Sequence, residues 1–159
     1  MIHTASGPDE ETPENGDAPH WGEAAELWAC DYFGYEHADE KHYDVLNDGE
    51  RIQIKACRKW VKNGIDSRGN QTRCRGRFKF WEGDHDELVE DDGHYLLIVY
   101  EKDEDKPFGI EVCAHKHFDP DEVREAVNGD WYSENDTREA SKGQVYRTTW
   151  PSFFEKGGI

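Results

Sequence analysis

The sequence has little positive charge, a small share of hydrophobic residues and no long apolar run. It contains 19 Lys and Arg against 36 Asp and Glu, and only 35% of its 159 residues are hydrophobic. No stretch approaches the roughly 20 apolar residues that a membrane-spanning helix needs, and the N-terminus lacks a basic segment followed by an apolar one. We therefore expect a cytoplasmic protein with no membrane partner.

Cysteines are also few and lack the spacing of a metal-binding or redox motif. The four cysteines are scattered, and no two form a CxxC pair. In an intracellular chain such residues are expected to be buried free thiols, which disfavours a disulfide framework or a structural zinc site. The residues are Cys30, Cys57, Cys74 and Cys113.

Aromatic side chains and acidic charge are abundant instead. Aromatics make up 13% of the chain, and Tyr95–Tyr100 is an apolar run, whereas disordered chains lack both features. The net charge of −17 would make the surface repel itself at ordinary ionic strength. Molar salt shortens the screening length to about 3 Å and removes this repulsion. The composition therefore indicates a folded protein of a salt-loving microbe, with an ordinary acidic protein as the alternative.

The local patterns predict one α/β domain behind an acidic leader. Residues 1–19 are rich in Pro, Gly and acids and predict disorder, so the single domain is expected over 20–159. The Asn47-Asp-Gly49 turn separates two short strands and predicts a hairpin. Helices are expected near 21–33, 84–91 and 119–127, strands at 43–46, 51–57, 77–81, 95–100, 107–113 and 144–149, and a loop at 63–76.

Positive charge is concentrated in one segment. Residues 51–79 contain ten basic side chains and one acidic, whereas residues 1–50 contain one basic and fourteen acidic. Basic residues interleaved with aromatics are typical of a phosphate-contacting surface, although ion pairing with the surrounding acids is the alternative. The predicted nucleic-acid-binding residues are Arg58, Lys59, Lys62, Arg68, Arg73, Arg75, Arg77 and Lys79.

A potential hydrolytic site immediately precedes and overlaps this segment. Asp44 lies on the first strand of the predicted hairpin, and Gln53 and Lys55 share one face of the second. Phosphodiester hydrolysis needs a divalent cation held by oxygen ligands and a cationic or basic group that positions a water. Glu23 on the preceding helix could provide a further oxygen, and Glu26, one turn later, competes for that role.

The order helix-Glu, strand-Asp and strand-Gln-x-Lys resembles the PD-(D/E)xK nuclease superfamily, in particular its archaeal Holliday-junction resolvases and restriction endonuclease-like domains. The resemblance covers residues 21–100 and implies a restriction endonuclease-like core, with a central mixed sheet flanked by helices in the order α-β-β-β-α-β. It further implies a DNA endonuclease using Mg²⁺ or Mn²⁺, held by Asp44, Gln53 and Glu23, and Lys55 as the group that positions water or stabilises the phosphate. A homodimer is compatible with this assignment.

One departure from the superfamily pattern leaves other functions open. The position two residues before the lysine is usually Asp or Glu, whereas Gln53 offers a neutral carbonyl oxygen. A catalytically weak or inactive nucleic-acid-binding protein of the same fold is one alternative, and a structural or interaction domain of a haloarchaeon or its virus is another. His85 could contact phosphate, although a packed or exposed histidine is the simpler interpretation.

Overall fold

The computed structural model describes residues 17–38, 40, 43–127, 131 and 143–159. Two single-turn 3₁₀ helices, Trp150–Ser152 and Lys156–Gly158, follow the last strand. The other elements, in chain order, are α1 (Asp17–Phe33), β1 (Glu36–His37), β2 (Val45–Asn47), β3 (Glu50–Arg58), β4 (Trp60–Ile65), β5 (Gln71–Arg75), β6 (Arg77–Trp81), α2 (Glu82–Glu90), β7 (His94–Lys102), β8 (Ile110–Phe118), α3 (Pro120–Val127) and β9 (Val145–Thr149).

A five-stranded mixed sheet in the order β1-β2-β3-β7-β8 forms the centre of the protein. β3 and β7 run parallel, while the other neighbouring strands are antiparallel. Residues 95–100 of β7 are buried. Their side chains are apolar on both faces of the strand because other elements cover both faces of the sheet there. The predicted α/β class and mixed central sheet are thus confirmed.

Alternate residues of β3 face two separate cores. Ile52 and Ile54 pack with Ala25 and Ala29 of α1, so α1 covers one face of the sheet. Cys57 belongs to the second core, which includes side chains of α2, α3, β6 and the 3₁₀ turn after β9. Because side chains alternate along a strand, Gln53 and Lys55 lie on the same face as Cys57 and opposite α1.

The β2–β3 hairpin forms as predicted around a two-residue turn. Asp48 and Gly49 both have positive φ, 53° and 85°, as expected for a tight turn whose twist matches the flanking strands. Helix α1 begins at Asp17, inside the segment expected to be disordered. The rest of that segment, residues 1–16, lies outside the described residues.

The predicted loop at 63–76 is wrong. Most of this segment forms a hairpin of β4 and β5, closed by a turn in which the Asp66 carboxylate accepts hydrogen bonds from the N–H groups of Arg68 and Asn70. The turn residues gave the segment a loop-like composition and masked the alternation on either side.

β6 does not join the central sheet. It pairs antiparallel with β9, residue for residue from Arg77↔Thr149 to Trp81↔Val145. We call this pair the β6–β9 ribbon. Phe78 and Phe80 point from it into the second core and are fully buried. The ribbon therefore forms an outer layer over that face of the sheet.

The remaining expectations have mixed outcomes. All four cysteines are free, and Cys57 is buried while the other three are half-buried. β8 begins at Ile110, later than predicted, because residues 104–109 form turns before it. No helix in the described part of the chain is long and apolar enough to cross a membrane.

Candidate active site and basic groove

Asp44 lies directly before β2, and its carboxylate is fixed against the backbone of β3. Its N–H donates to the Ile52 carbonyl oxygen at 2.9 Å, and its Oδ2 accepts from the Ile54 N–H at 2.7 Å. Ile54 is the residue between Gln53 and Lys55. The structure therefore brings Asp44 next to the predicted Gln-x-Lys segment, with the carboxylate ending the ladder between the two strands.

Gln53 is 5% exposed, and its Oε1 is buried without a hydrogen-bond donor among the described residues. A buried amide oxygen left without a donor destabilises a protein by about 1–3 kcal/mol. Carbonyl and carboxylate oxygens are the ligands that Mg²⁺ and similar hard cations prefer. This oxygen and the carboxylate of Asp44, the residue that faces Gln53 directly before β2, are both oxygen atoms of that kind.

Lys55 lies on the same face as Gln53, about 7 Å further along β3. It is half-buried, as expected for a lysine whose aliphatic stem packs on the sheet while its ammonium reaches a more polar region. The strand alternation therefore places a cationic side chain two residues beyond Gln53 on the same face of β3.

The helix carboxylates are less closely associated with this site. Glu23 is exposed, on a helix that covers the opposite face of the sheet. Glu26 is half-buried, and its Oε1 contacts His37 Nε2 at 3.2 Å. No group of three or more His, Cys, Asp or Glu that could hold a metal occurs among the described residues. The role of Glu23 stays a prediction.

A buried polar pair lies in the same core as Gln53. His85 Nδ1 and the Tyr95 hydroxyl are 2.9 Å apart, and Tyr95 is the register partner of Gln53 in the parallel β3–β7 ladder. Burial lowers the pKa of His85, with Arg124 contributing, and burial raises the pKa of Tyr95. Both groups are therefore neutral at neutral pH. Because His85 is only 2% exposed, it packs α2 onto β7.

The eight predicted phosphate-binding cations separate into two groups. Arg58 forms an ion pair with Glu101 at 3.6 Å, and Lys59 Nζ donates to the Ile159 carbonyl oxygen at 3.3 Å, so both help to hold the fold. The other six belong to β4, β5, β6 and the turn between β4 and β5: Lys62, Arg68, Arg73, Arg75, Arg77 and Lys79.

Four of these six line a groove between the β4–β5 hairpin and the β6–β9 ribbon. Its volume is about 610 Å³, and Arg147 of β9 supplies a fifth cation. We call this feature the basic groove and define it by Lys62, Arg75, Arg77, Lys79 and Arg147. Sequence reasoning missed Arg147, because its only local signal is a short alternating strand far from the basic segment.

The family of the chain follows from a comparison of its sequence. A model of the PD-(D/E)XK nuclease superfamily domain matches residues 12–152. The chain belongs to this superfamily. No curated protein and no solved structure is significantly similar to it. PD-(D/E)XK nucleases act on nucleic acids and generally use divalent metal ions.

Proposed function

We propose that this PD-(D/E)XK domain is a metal-dependent endonuclease that hydrolyses DNA phosphodiester bonds. The observation that carries the proposal is the pairing of the anchored Asp44 carboxylate with the buried, donor-free Gln53 Oε1, beside Lys55. Gln53 lies on a central strand of the sheet, and Asp44, directly before β2, is hydrogen-bonded to the backbone of that strand. Such a site needs little rearrangement to hold a cation.

Asp44 and Gln53 are the residues that would hold Mg²⁺ or Mn²⁺. When bound, such an ion polarises the phosphate and lowers the pKa of a water. One or two protein oxygens suffice for Mg²⁺, because water and substrate phosphate complete its coordination. Gln53 supplies no negative charge, so its contribution to affinity is smaller than that of a carboxylate.

Lys55 contributes a positive charge at the reacting phosphate. In the hydrolysis, the water loses a proton as its oxygen bonds to phosphorus, the bond from phosphorus to the leaving oxygen breaks, and the leaving oxygen gains a proton. The transition state spreads negative charge over the phosphate oxygens, and an ammonium group positioned beforehand stabilises that charge. In the same position, Lys55 also orients the attacking water.

Cleavage of linear, branched and supercoiled DNA tests the proposal. We expect the wild type to cut at least one of these substrates in about 1 M KCl with Mg²⁺ or Mn²⁺ and not in EDTA. Lys55→Ala should lower the rate roughly 10²- to 10³-fold, the loss typical of removing one charge-stabilising donor. Lys116→Ala, at an exposed cation on edge strand β8, serves as the matched control. Equal cleavage by Lys55→Ala and wild type would show that the site is misassigned.

The neutral Gln53 favours a second candidate, a nucleic-acid-binding protein that has lost catalysis. This protein would bind DNA in EDTA as well as in Mg²⁺ and would cut none of the three substrates. Gln53→Glu distinguishes the two states of such a site, because it restores the carboxylate typical of the superfamily. Cleavage by this variant alone would identify the wild type as the inactive form.

A further inference from the structure

Among the described residues, the lining of the basic groove contains five cations and no carboxylate. The described residues that line it include no Asp or Glu, although Asp and Glu outnumber Lys and Arg by 36 to 19 in the whole chain. Ten described residues line this cavity of about 610 Å³, and with 36 acids among 159 residues about two of the ten would be Asp or Glu by composition alone. The local charge therefore needs an explanation beyond solubility.

One like-charge pair in the hairpin is unfavourable for folding alone. Lys62 is the direct register partner of Arg73 in the β4–β5 hairpin. Like charges directly opposite on an antiparallel pair destabilise it, whereas opposite charges stabilise it. A bound anion between the strands would reverse the sign of this contribution.

Aromatic rings hold several of these cations without neutralising them. The guanidinium of Arg75 lies 4.9 Å from the ring centroid of Trp60 and 5.5 Å from that of Trp150, and Arg73 lies 4.5 Å from Trp60. Trp150 is itself fixed by a hydrogen bond from its Nε1 to the Lys59 carbonyl oxygen at 2.9 Å. Stacking orients a guanidinium and leaves its charge available.

One donor in the groove is buried and has no acceptor. Arg75 Nε makes no hydrogen bond among the described residues. An anion with several oxygens would satisfy such donors, and a phosphate matches the planar guanidinium especially well.

The groove lies beyond the end of β3 that is distant from the candidate active site. Gly76, in its lining, donates to the Arg58 carbonyl oxygen at 3.1 Å, and Arg58 is five residues after Gln53. Five residues of extended strand span about 16 Å. This length corresponds to about five base pairs of duplex DNA at 3.4 Å each.

We propose that the basic groove is a metal-independent binding site for the phosphate backbone of DNA, about five nucleotides from the bond that the active site cuts. The distance rests on the proposed function, whereas the phosphate binding does not. The groove is expected to anchor the flanking strand, so that the Asp44–Lys55 region receives one particular phosphodiester. Arg147 is a member of this site that the basic segment of the sequence does not contain.

Binding of a fluorescent DNA duplex in EDTA tests the groove without any cleavage. We expect Arg77→Gln/Arg147→Gln to weaken binding roughly tenfold or more and to lower the slope of log affinity against log KCl by about two. Lys116→Gln/Arg124→Gln removes the same charge at two exposed cations outside the groove and should bind like the wild type. Arg77→Lys/Arg147→Lys keeps the charge and should retain the wild-type slope, which shows that the glutamine effect is not misfolding.

A scan with methylphosphonate linkages tests the distance on the wild-type protein. Each neutral linkage removes one phosphate charge, and we expect weaker binding when it lies about five nucleotides to one side of the cut. Absence of DNA binding by the wild type in EDTA, or equal binding by the groove variant and its control, would overturn the proposal. Interference confined to the cut phosphate would overturn the distance. If Lys55→Ala cuts normally while the groove variant fails to bind, only the active-site assignment is lost.

Discussion

Gln53 destabilises the fold, whereas its buried oxygen suits the proposed metal site. An apolar side chain of similar size would pack in the second core without leaving an oxygen lacking a donor, which is a cost of about 1–3 kcal/mol. The Asp44 carboxylate is fixed beside it by the Ile54 N–H. A polar atom kept under these conditions is best explained by a ligand that binds it, which is the reasoning behind the proposed metal site.

The sequence predicted that Asp44 and Gln53 lie on neighbouring strands, but it did not predict that Gln53 is buried. The strand alternation and the Asn47-Asp-Gly49 turn were sufficient to place Asp44 opposite Gln53, because the turn fixes the register of a hairpin. The face of β3 that carries Gln53 is covered by the second core, which includes side chains of α2 and β6, and the local pattern around Gln53 does not specify these elements. The same limitation applies to Glu23, since helical periodicity predicted its element but not the sheet face against which α1 packs.

Gln53→Glu should strengthen metal binding and weaken the metal-free protein. The variant adds one negative charge beside Asp44, and we expect it to bind the metal about tenfold more tightly, a gain of about 1.4 kcal/mol. This gain is smaller than the roughly 4 kcal/mol by which two opposite charges about 4 Å apart attract each other near a protein surface. Without metal, the new carboxylate at the buried position 53 and the half-buried carboxylate of Asp44 repel each other. Calorimetric titration with Mn²⁺ and urea unfolding in EDTA measure the two effects.

Gln144→Glu is the matched control for this prediction. Gln144 is exposed just before β9, so the same chemical change should leave both metal affinity and stability close to the wild-type values. Similar metal affinity in Gln53→Glu and Gln144→Glu would mean that Gln53 Oε1 is not a ligand.

At the scale of elements, the parts that were predicted well are the locally determined ones. Apolar periodicity and the Gly34 stop predicted the end of α1, and the apolar run predicted β7 as a central strand. The β4–β5 hairpin was missed because its turn is rich in polar residues and its strands are largely exposed. The pairing of β6 with β9 was missed because the partners are more than 60 residues apart, and short alternating segments do not specify a distant partner.

The junction between these elements depends on Gly76. A Cβ added there would lie 2.0 Å from the Arg58 carbonyl oxygen, and the Gly76 carbonyl oxygen accepts from the Trp150 N–H at 3.2 Å. The hairpin, β3 and the 3₁₀ turn after β9 therefore meet at a position with no room for a side chain. Because Gly76 also lines the basic groove, we expect the shape of the groove to depend on this contact.

Gly76→Ala should destabilise the protein by about 1–3 kcal/mol, because backbone atoms must shift to admit the methyl group. Gly22→Ala is the control, since no atom lies within 4 Å of a Cβ there and alanine is the better helix former by roughly 0.8–1 kcal/mol. Urea unfolding compares the two variants. DNA binding in EDTA should also fall for Gly76→Ala, whereas unchanged stability and binding would mean that the groove does not depend on this junction.

At the scale of the whole molecule, charge is segregated rather than balanced. The net charge of −17 is spread over most of the chain, while the cations cluster in the hairpin and ribbon around the basic groove. On the proposed function, the acidic surroundings would direct DNA away from the rest of the surface, and the groove would provide the region of opposite potential. The segregation would then favour one orientation of the DNA over many weak ones.

The same segregation predicts two opposite responses to salt. Screening should relieve repulsion among the carboxylates, so we expect the melting temperature to rise by more than about 5 °C between 0.1 M and 2 M KCl, where the screening length falls from about 10 Å to below 3 Å. DNA binding should weaken over the same range, because salt reduces the gain from releasing counterions. Cleavage at constant Mg²⁺ is then expected to peak at intermediate KCl.

Sucrose, which stabilises proteins without screening, is the control for the salt series and should raise the melting temperature without weakening DNA binding. A melting temperature independent of KCl would contradict the halophilic interpretation of the composition, and a cleavage rate that rises steadily to 2 M KCl would show that phosphate contacts in the groove do not limit the reaction.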